Sequence, residues 1–354
     1  MTHFRLYSFS VAVLILCSFT QFTWAEVEAS TSLKTYYAAI NGTATDQNDA
    51  LRQTLHSIIN NHTVVSYDNL RYLYKYSDTY DAEGKIIEDI YSECDPAYTE
   101  SFCKGDCGYN REHSVPKSWF SQETPLYSDA FHLYPTNCYV NSYRSNYPYG
   151  ECENGTKCKT NNVKAKGRLG NSTFAGYTSA GQVYELDDEY KGDLARTYFY
   201  MVTCYITTNF TQDKEGYGSV MFTYSNNTAQ LTQYSIDLLM KWHRQDTVSK
   251  KELIRNEVIY GNQTYNKGKY KQGNRNPFID YPELAEYIWG DKKGQTIDLS
   301  TLKTPYKEKE DDPGEGFENV NGSHAASKQL INGHLYIQTT DGLFTITGQK
   351  VYDF

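Results

Sequence analysis

The chain has no excess of positive charge. Its 354 residues carry 34 lysines and arginines against 43 aspartates and glutamates, a formal net charge of -9. Such a balance excludes a molecule that grips polyanions with its whole surface, because phosphate binding rests on clustered Lys and Arg. A membrane-spanning run is also missing: SVAVLILCSF near the N-terminus is too short for a comfortable span. The HExxH spacing of one large class of zinc hydrolases is absent, and no second close cysteine pair stands ready to complete a four-ligand zinc set with Cys103 and Cys107. Apolar and aromatic material is not scarce. Hydrophobic residues make up 39% of the chain and aromatics 15%, with 34 tyrosines, which excludes a disordered protein and suffices for a sizeable core.

The acidity sits at the ends. Residues 26 to 100 carry 5 basic and 13 acidic side chains, residues 301 to 354 carry 5 and 8, and the middle, 101 to 300, carries 23 and 22. Within that neutral middle lie two basic runs, Lys157, Lys159, Lys164, Lys166 and Arg168, then Lys267, Lys269, Lys271 and Arg275. Arg5 ahead of the apolar run, with Thr23-Trp24-Ala25 before Glu26, reads as an export signal over residues 1–25. The mature chain then keeps seven cysteines, at 94, 103, 107, 138, 152, 158 and 204, in a compartment where disulfides persist. The odd count leaves at least one unpaired, and the short loops 103–107 and 152–158 make local bridges sterically reasonable.

Apolar spacing predicts helices in DALRQTLHSIINNH, DNLRYLYKY, LARTYFYMVTCYI, QLTQYSIDLLMKWHRQD and SKKELIRNEVIYGNQ, a strand in KIIEDIYS (85–92), and a packed turn and helix in PFIDYPELAEYIW. One large domain over 26–300 is followed by an acidic, glycine-containing linker, 301–325. The tail, 326–354, alternates apolar residues (Leu335, Ile337, Leu343, Thr345, Thr347) around Asp341-Gly342, which predicts hairpins.

Chemistry concentrates in CGYNREHSVPKSWF (107–120) and DAFHLYPTNCYVNSYRSNYPYGE (129–151). Glu112 and His113 are neighbours, so on a strand they point to opposite faces. Glu112 and Asn141 offer hard oxygen ligands suited to Mg²⁺, which keeps several waters and takes further ligands from phosphate. His113, aimed the other way, is placed to take a proton from an attacking water. On a helix Asn141 and Arg144 share a face, while Asn146 aligns only partly. Asp129 and His132 divide between supporting the metal ligands and ordinary structural hydrogen bonding.

The segments NREHSVPKSWF, HLYPTNCYVNSYRSNYPYGE and GNRNPFIDYPELAEYIW resemble the endonuclease I family of secreted, non-specific nucleases, in the same order, over roughly residues 36–289. The resemblance implies an α+β fold with a ββα-metal (His-Me finger) core surrounded by helices, plus the small β-rich tail. It implies His113 as general base and one Mg²⁺ on Glu112 and Asn141, with Mn²⁺ or Ca²⁺ as substitutes. The implied substrate is DNA, RNA or both, cut to 5′-phosphorylated oligonucleotides, and Arg144 resembles a position beside the scissile phosphate. Two departures stand out: DAFHL replaces the common DLHHL, and Asn137 stands where an acid often precedes the cysteine. The arginine that assists the leaving group in some members has no matching motif.

Arg275, with Gly273, Asn274 and Asn276, divides between a phosphate contact and structural support. The C-terminal segment resembles a type IX secretion sorting tail, implying secretion machinery as a partner and an extracellular or cell-surface location, with the periplasm as the alternative. A monomer with no transmembrane segment in the mature chain is expected. Two other classes compete: a zinc-dependent hydrolase using His113, His132 and Glu112, and a catalytically inactive secreted protein that binds nucleic acid or another surface ligand.

Overall fold

The computed structural model describes residues 27–44, 49–79, 84–94, 96–160, 162–179, 181–262, 269–307, 327–331, 334–339, 342–345 and 350–352. The expected export signal, Lys267, most of the acidic linker, and Asp341 and Thr347 in the tail lie outside these residues. The chain divides into two compact units, Met1–Lys307 and Glu308–Phe354. The first extends past the boundary expected at 300, because Leu302 and Tyr306 are buried and Tyr306 donates its hydroxyl to the Leu253 carbonyl at 3.1 Å.

After two short helical turns, Leu33–Tyr36 and Ala38–Ile40, the first unit forms helices α1 (Ala50–Ile59) and α2 (Leu70–Ser77). Leu51, Leu55 and Ile59 recur every three to four residues on α1 and are all buried, the spacing that sets one helical face against a core. The strand expected at 85–92 does not form. This segment makes only isolated bridges, Thr79 with Ile87, Ile86 with Ala97 and Ser92 with Ala165. The Asp89 carboxylate accepts from the backbone nitrogens of Tyr91 (2.8 Å) and Asn137 (3.0 Å), giving the backbone a local alternative to a ladder.

Strand β1 (Tyr109–His113) pairs antiparallel with β2 (Leu133–Asn137), in a register that sets Glu112 opposite Tyr134 and His113 opposite Leu133. Helix α3 (Cys138–Arg144) follows β2 without a break. Its start is set by Asn137, whose side-chain oxygen caps the nitrogens of Tyr139 (3.0 Å) and Val140 (3.2 Å). The residue that departs from the family pattern is therefore a helix cap.

Around this hairpin and helix lie the pair β3 (Arg168–Asn171) and β4 (Gln182–Glu185), helix α4 (Lys191–Cys204), the pair β5 (Phe222–Ser225) and β6 (Thr228–Leu231), and helices α5 (Gln233–Gln245) and α6 (Lys250–Tyr260). Every residue of α4 is buried, so it is the central rod of the unit, packed against α1 and α5. The α6 start carries a reciprocal cap between Ser249 and Glu252, and Gly261 closes its end at φ 109°, a left-handed conformation that glycine adopts freely. This mixture of helices and small antiparallel sheets agrees with the expected α+β class.

Two disulfides form, Cys94–Cys107 and Cys103–Cys138, rather than the local bridges that short loops made sterically reasonable at 103–107 and 152–158. The loop at Cys103, itself at φ 52°, turns back so that Cys103 donates its backbone N–H to the Tyr109 carbonyl. That brings its sulfur to Cys138, the first residue of α3. Both cysteines of the conceivable zinc pair are thus oxidised, and Cys152, Cys158 and Cys204 are free. In the second unit, β7 (Ser327–Ile331), β8 (His334–Thr339), β9 (Gly342–Thr345) and β10 (Lys350–Tyr352) form an antiparallel sheet of consecutive neighbours, the hairpins expected from the alternation.

Candidate active site

Strand alternation separates the two chemistries of the REH segment. Glu112 and its cross-strand partner Tyr134 share one face of the hairpin, as do Thr136 and Asn110 two residues along. On α3, Asn141 donates its side-chain amide to Thr136 Oγ1 at 3.3 Å. This bond brings Asn141 to the Glu112 face and leaves its Oδ1 without a protein partner among the described residues. His113 and Arg111 occupy the opposite face.

Glu112 is 3% exposed. Its Oε1 accepts from the Tyr91 hydroxyl (2.8 Å) and from Arg144 Nη1 (2.9 Å), while Oε2 takes no bond from the described residues. Burial pushes the carboxyl up to about 7, against the opposing pull of the Arg144 guanidinium and the Tyr91 hydroxyl. Glu112 Oε2 and Asn141 Oδ1, both on this face of the hairpin and both open among the described residues, are hard oxygen donors. They fit a divalent cation of the Mg²⁺ kind that completes its shell with water and phosphate.

His113 is held by one nitrogen. Nε2 lies 2.9 Å from the Tyr127 carbonyl, which can only accept, so the proton sits on Nε2 and Nδ1 carries the lone pair. Burial, then the neighbouring His132, holds the imidazole well below its ordinary pKa. It is therefore neutral near pH 7, the state a proton acceptor needs. Tyr67 stacks on the ring at 5.6 Å between centroids, and Tyr127 lies at 5.2 Å.

Arg144 sits at the site but is not presented to a phosphate. It is 1% exposed, donating to Glu112 Oε1, to the His113 carbonyl (3.2 Å) and to the Ser114 carbonyl (3.0 Å), with Tyr149 4.4 Å beneath it. In this structure the side chain that resembles a family position beside the scissile phosphate braces the end of β1. Asn146 lies beyond the last helical residue, after Ser145 at φ 54°, and so leaves the Asn141 face.

Asp129 and His132 are buried, and neither hydrogen-bonds Glu112 or Asn141. Asp129 accepts from Phe131 N (2.8 Å), Gln272 (3.1 Å), Tyr200 (2.8 Å) and Tyr205 (2.6 Å), and His132 donates Nε2–H to the Leu126 carbonyl at 2.7 Å. What they shape is the 126–132 loop, whose Tyr127 carbonyl orients His113. Arg275 is fully buried between Glu257 (2.6 Å) and Asp280 (2.8 Å), which corrects its reading as a possible phosphate contact.

The zinc arrangement of His113, His132 and Glu112 is not assembled either, since Glu112 faces away from both imidazoles. Among the described residues a different group, His62, Asp129 and Cys204, brings its ligand atoms within 4.8 Å of one another. Its carboxylate is already filled by the donors named above, and burial pushes the Cys204 thiol up. Sequence reasoning missed Tyr91, Thr136 and Tyr127. Tyr91 lay in the supposed strand, and Tyr127 acts through its backbone, which leaves no mark in the side-chain pattern.

Comparison with known proteins places these features in context. The family model described as Endonuclease I matches residues 47–283. An extracellular ribonuclease of Bacillus amyloliquefaciens is 32% identical over 275 residues, covering 77% of this chain and 83% of its own. An extracellular ribonuclease of Bacillus subtilis (strain 168) is 32% identical over 259 residues, 72% of this chain and 78% of its own.

Proposed function

This chain belongs to the endonuclease I family and is a metal-dependent enzyme that hydrolyses phosphodiesters, and from that premise we propose that it is an exported, sequence-non-specific nuclease with a ββα-metal centre using His113 as its general base. The observation that carries the reading is the division of faces on β1: open hard oxygens from Glu112 and Asn141 on one, a neutral imidazole with a free Nδ1 on the other. The hairpin β1–β2 running straight into α3 supports the ββα-metal assignment.

Glu112 Oε2 and Asn141 Oδ1 would hold a single Mg²⁺, which supplies charge neutralisation on the phosphate under attack and on the departing 3′ oxygen. His113 Nδ1 takes a proton from water as its oxygen bonds to phosphorus. The P–O3′ bond breaks, the departing oxygen takes a proton from solvent water, and the products are a 5′-phosphate and a 3′-hydroxyl. The Tyr127 carbonyl fixes the ring throughout and stabilises the Nε2 proton when the imidazole becomes charged. Arg144 keeps Glu112 and the His113 backbone in register without touching substrate. The groups that carry this reading act on the phosphate and not on base edges, so DNA and RNA are both substrates in it.

Export is supported by the N-terminal signal pattern and by relatives named as extracellular, and the β-rich tail reads as a sorting or attachment element at the cell surface. Digestion of plasmid DNA and RNA with Mg²⁺, with EDTA, and with His113→Ala is the test. General-base loss predicts a fall of about 10² to 10⁴ in kcat. Full-rate cleavage by His113→Ala rejects the base assignment, and binding without cleavage by the unmutated chain supports a non-catalytic protein instead.

A further inference from the structure

Arg144 and Arg275 being buried, the chain needs other cations to hold its polyanionic substrate, and a pair stands next to His113. Arg111 lies on the His113 face of β1. Its guanidinium carbon is 3.7 Å from the Tyr67 ring centre and 4.1 Å from that of Phe102, and Tyr67 is the ring stacked on His113. Phe102 also carries Arg71, at 5.4 Å.

Backbone carbonyls pin both side chains. Arg111 Nη1 donates to Tyr67 O at 2.8 Å, and Arg71 donates from Nε to Asp68 O at 2.6 Å and from Nη1 to Glu100 O at 2.9 Å. Two guanidiniums are therefore fixed at the surface, 14% and 28% exposed, with their ordering completed in the free protein. Their convergent sides meet one anionic atom, Asp68 Oδ1, 3.4 Å from Arg111 and 3.7 Å from Arg71. That carboxylate is 82% exposed, so solvent weakens its hold on either arginine.

We propose that Arg71 and Arg111 form a binding site for a backbone phosphate of the substrate strand next to the scissile one, and that Asp68 occupies it as a competing anion until the strand displaces it. The assignment rests on the nuclease reading above and deepens it. A planar guanidinium held against rings retains its fork of donors for phosphate oxygens, and holding it flat lowers the ordering cost of binding. The site reads no base. It anchors single-stranded segments in register with His113.

The test uses the full chain carrying His113→Ala in EDTA, so that nothing is cut, with a labelled single-stranded oligonucleotide followed by anisotropy over a salt series. Arg71→Met with Arg111→Met should weaken binding and lower the slope of log K against log salt by about 0.7, the value of one phosphate contact on a single strand. The matching lysine variants should keep the slope. Asp68→Asn should bind several-fold tighter, a gain that damaged folding cannot produce. An unchanged slope in the double variant, or no gain in Asp68→Asn, overturns the site while leaving the nuclease reading intact. Failure of the parent chain to bind any oligonucleotide overturns both. Inorganic phosphate at constant ionic strength is the control arm: competition as strong as the oligonucleotide's would reassign the site to free phosphate.

Discussion

Replacing Glu112 by glutamine should stabilise the metal-free protein at pH 8, although it removes a buried ion pair. The folded carboxyl titrates at about 7 against an ordinary value near 4.5, because burial outweighs Arg144 and Tyr91. Between those two values the folded chain holds a proton that the unfolded chain has released. Stability therefore falls as pH rises through that window, by about 3 kcal/mol at ~1.4 kcal/mol per unit. Glutamine keeps the neutral shape and lacks the penalty. At pH 4.5 the two proteins should unfold at similar urea concentrations, and at pH 8 the Glu112→Gln protein should be more stable by about 3 kcal/mol in EDTA. Mg²⁺ at about a thousandfold excess over Kd should reverse the order, adding about 4.1 kcal/mol to the glutamate form alone. A stability difference that stays flat from pH 4.5 to 8 would refute the account of Glu112 as a desolvated carboxylate awaiting a cation.

Three further outcomes follow from the geometry. Asn141→Ala removes an oxygen whose side chain makes one 3.3 Å bond, so Mg²⁺ affinity measured by calorimetry should fall by at least about tenfold, or ~1.4 kcal/mol, with the melting curve nearly unchanged. Removing the Cys103–Cys138 bridge, which spans 35 residues, should cost about 4 kcal/mol of stability in urea titration; it should lower turnover too, because Cys138 opens the helix carrying Asn141. Arg275→Met strands two buried carboxylates and should destabilise by about 3–5 kcal/mol in urea titration. A stable Arg275→Met protein with impaired nucleic-acid binding would restore the phosphate reading.

Helical periodicity was legible wherever one face is buried, as in α1, and the helix covering 191–204 was legible from its apolar content even though it is buried on all sides. The failure at 85–92 has a local cause: KIIEDIYS has a strand's composition, but Asp89 within it accepts backbone donors, one of them as distant as Asn137. Disulfide pairing was beyond sequence because spacing ranks short loops first. The actual partners, Cys94 with Cys107 and Cys103 with Cys138, depend on where the β1 hairpin returns the chain.

Arginines show where reasoning from residue type stops. Arg144 and Arg275 occur in motifs that resemble phosphate-handling segments, and both are buried among carboxylates and carbonyls. Arg111 sits in the same REH triplet as the proposed ligand and base and drew no attention, because sequence alone does not say that Tyr67 and Phe102 come to flank it. The period of two along β1 links all three. It sends Glu112 to the Asn141 side, and it sends Arg111 and His113 together to the other. A strand that binds Arg111 by one phosphate is thereby aligned with His113, while Glu112 approaches from the opposite face. In the proposed reading the adjacency of residues 111, 112 and 113 has a single geometric reason: three consecutive positions on one strand end would supply an anchor, a cation ligand and a base without any of them competing for the same space.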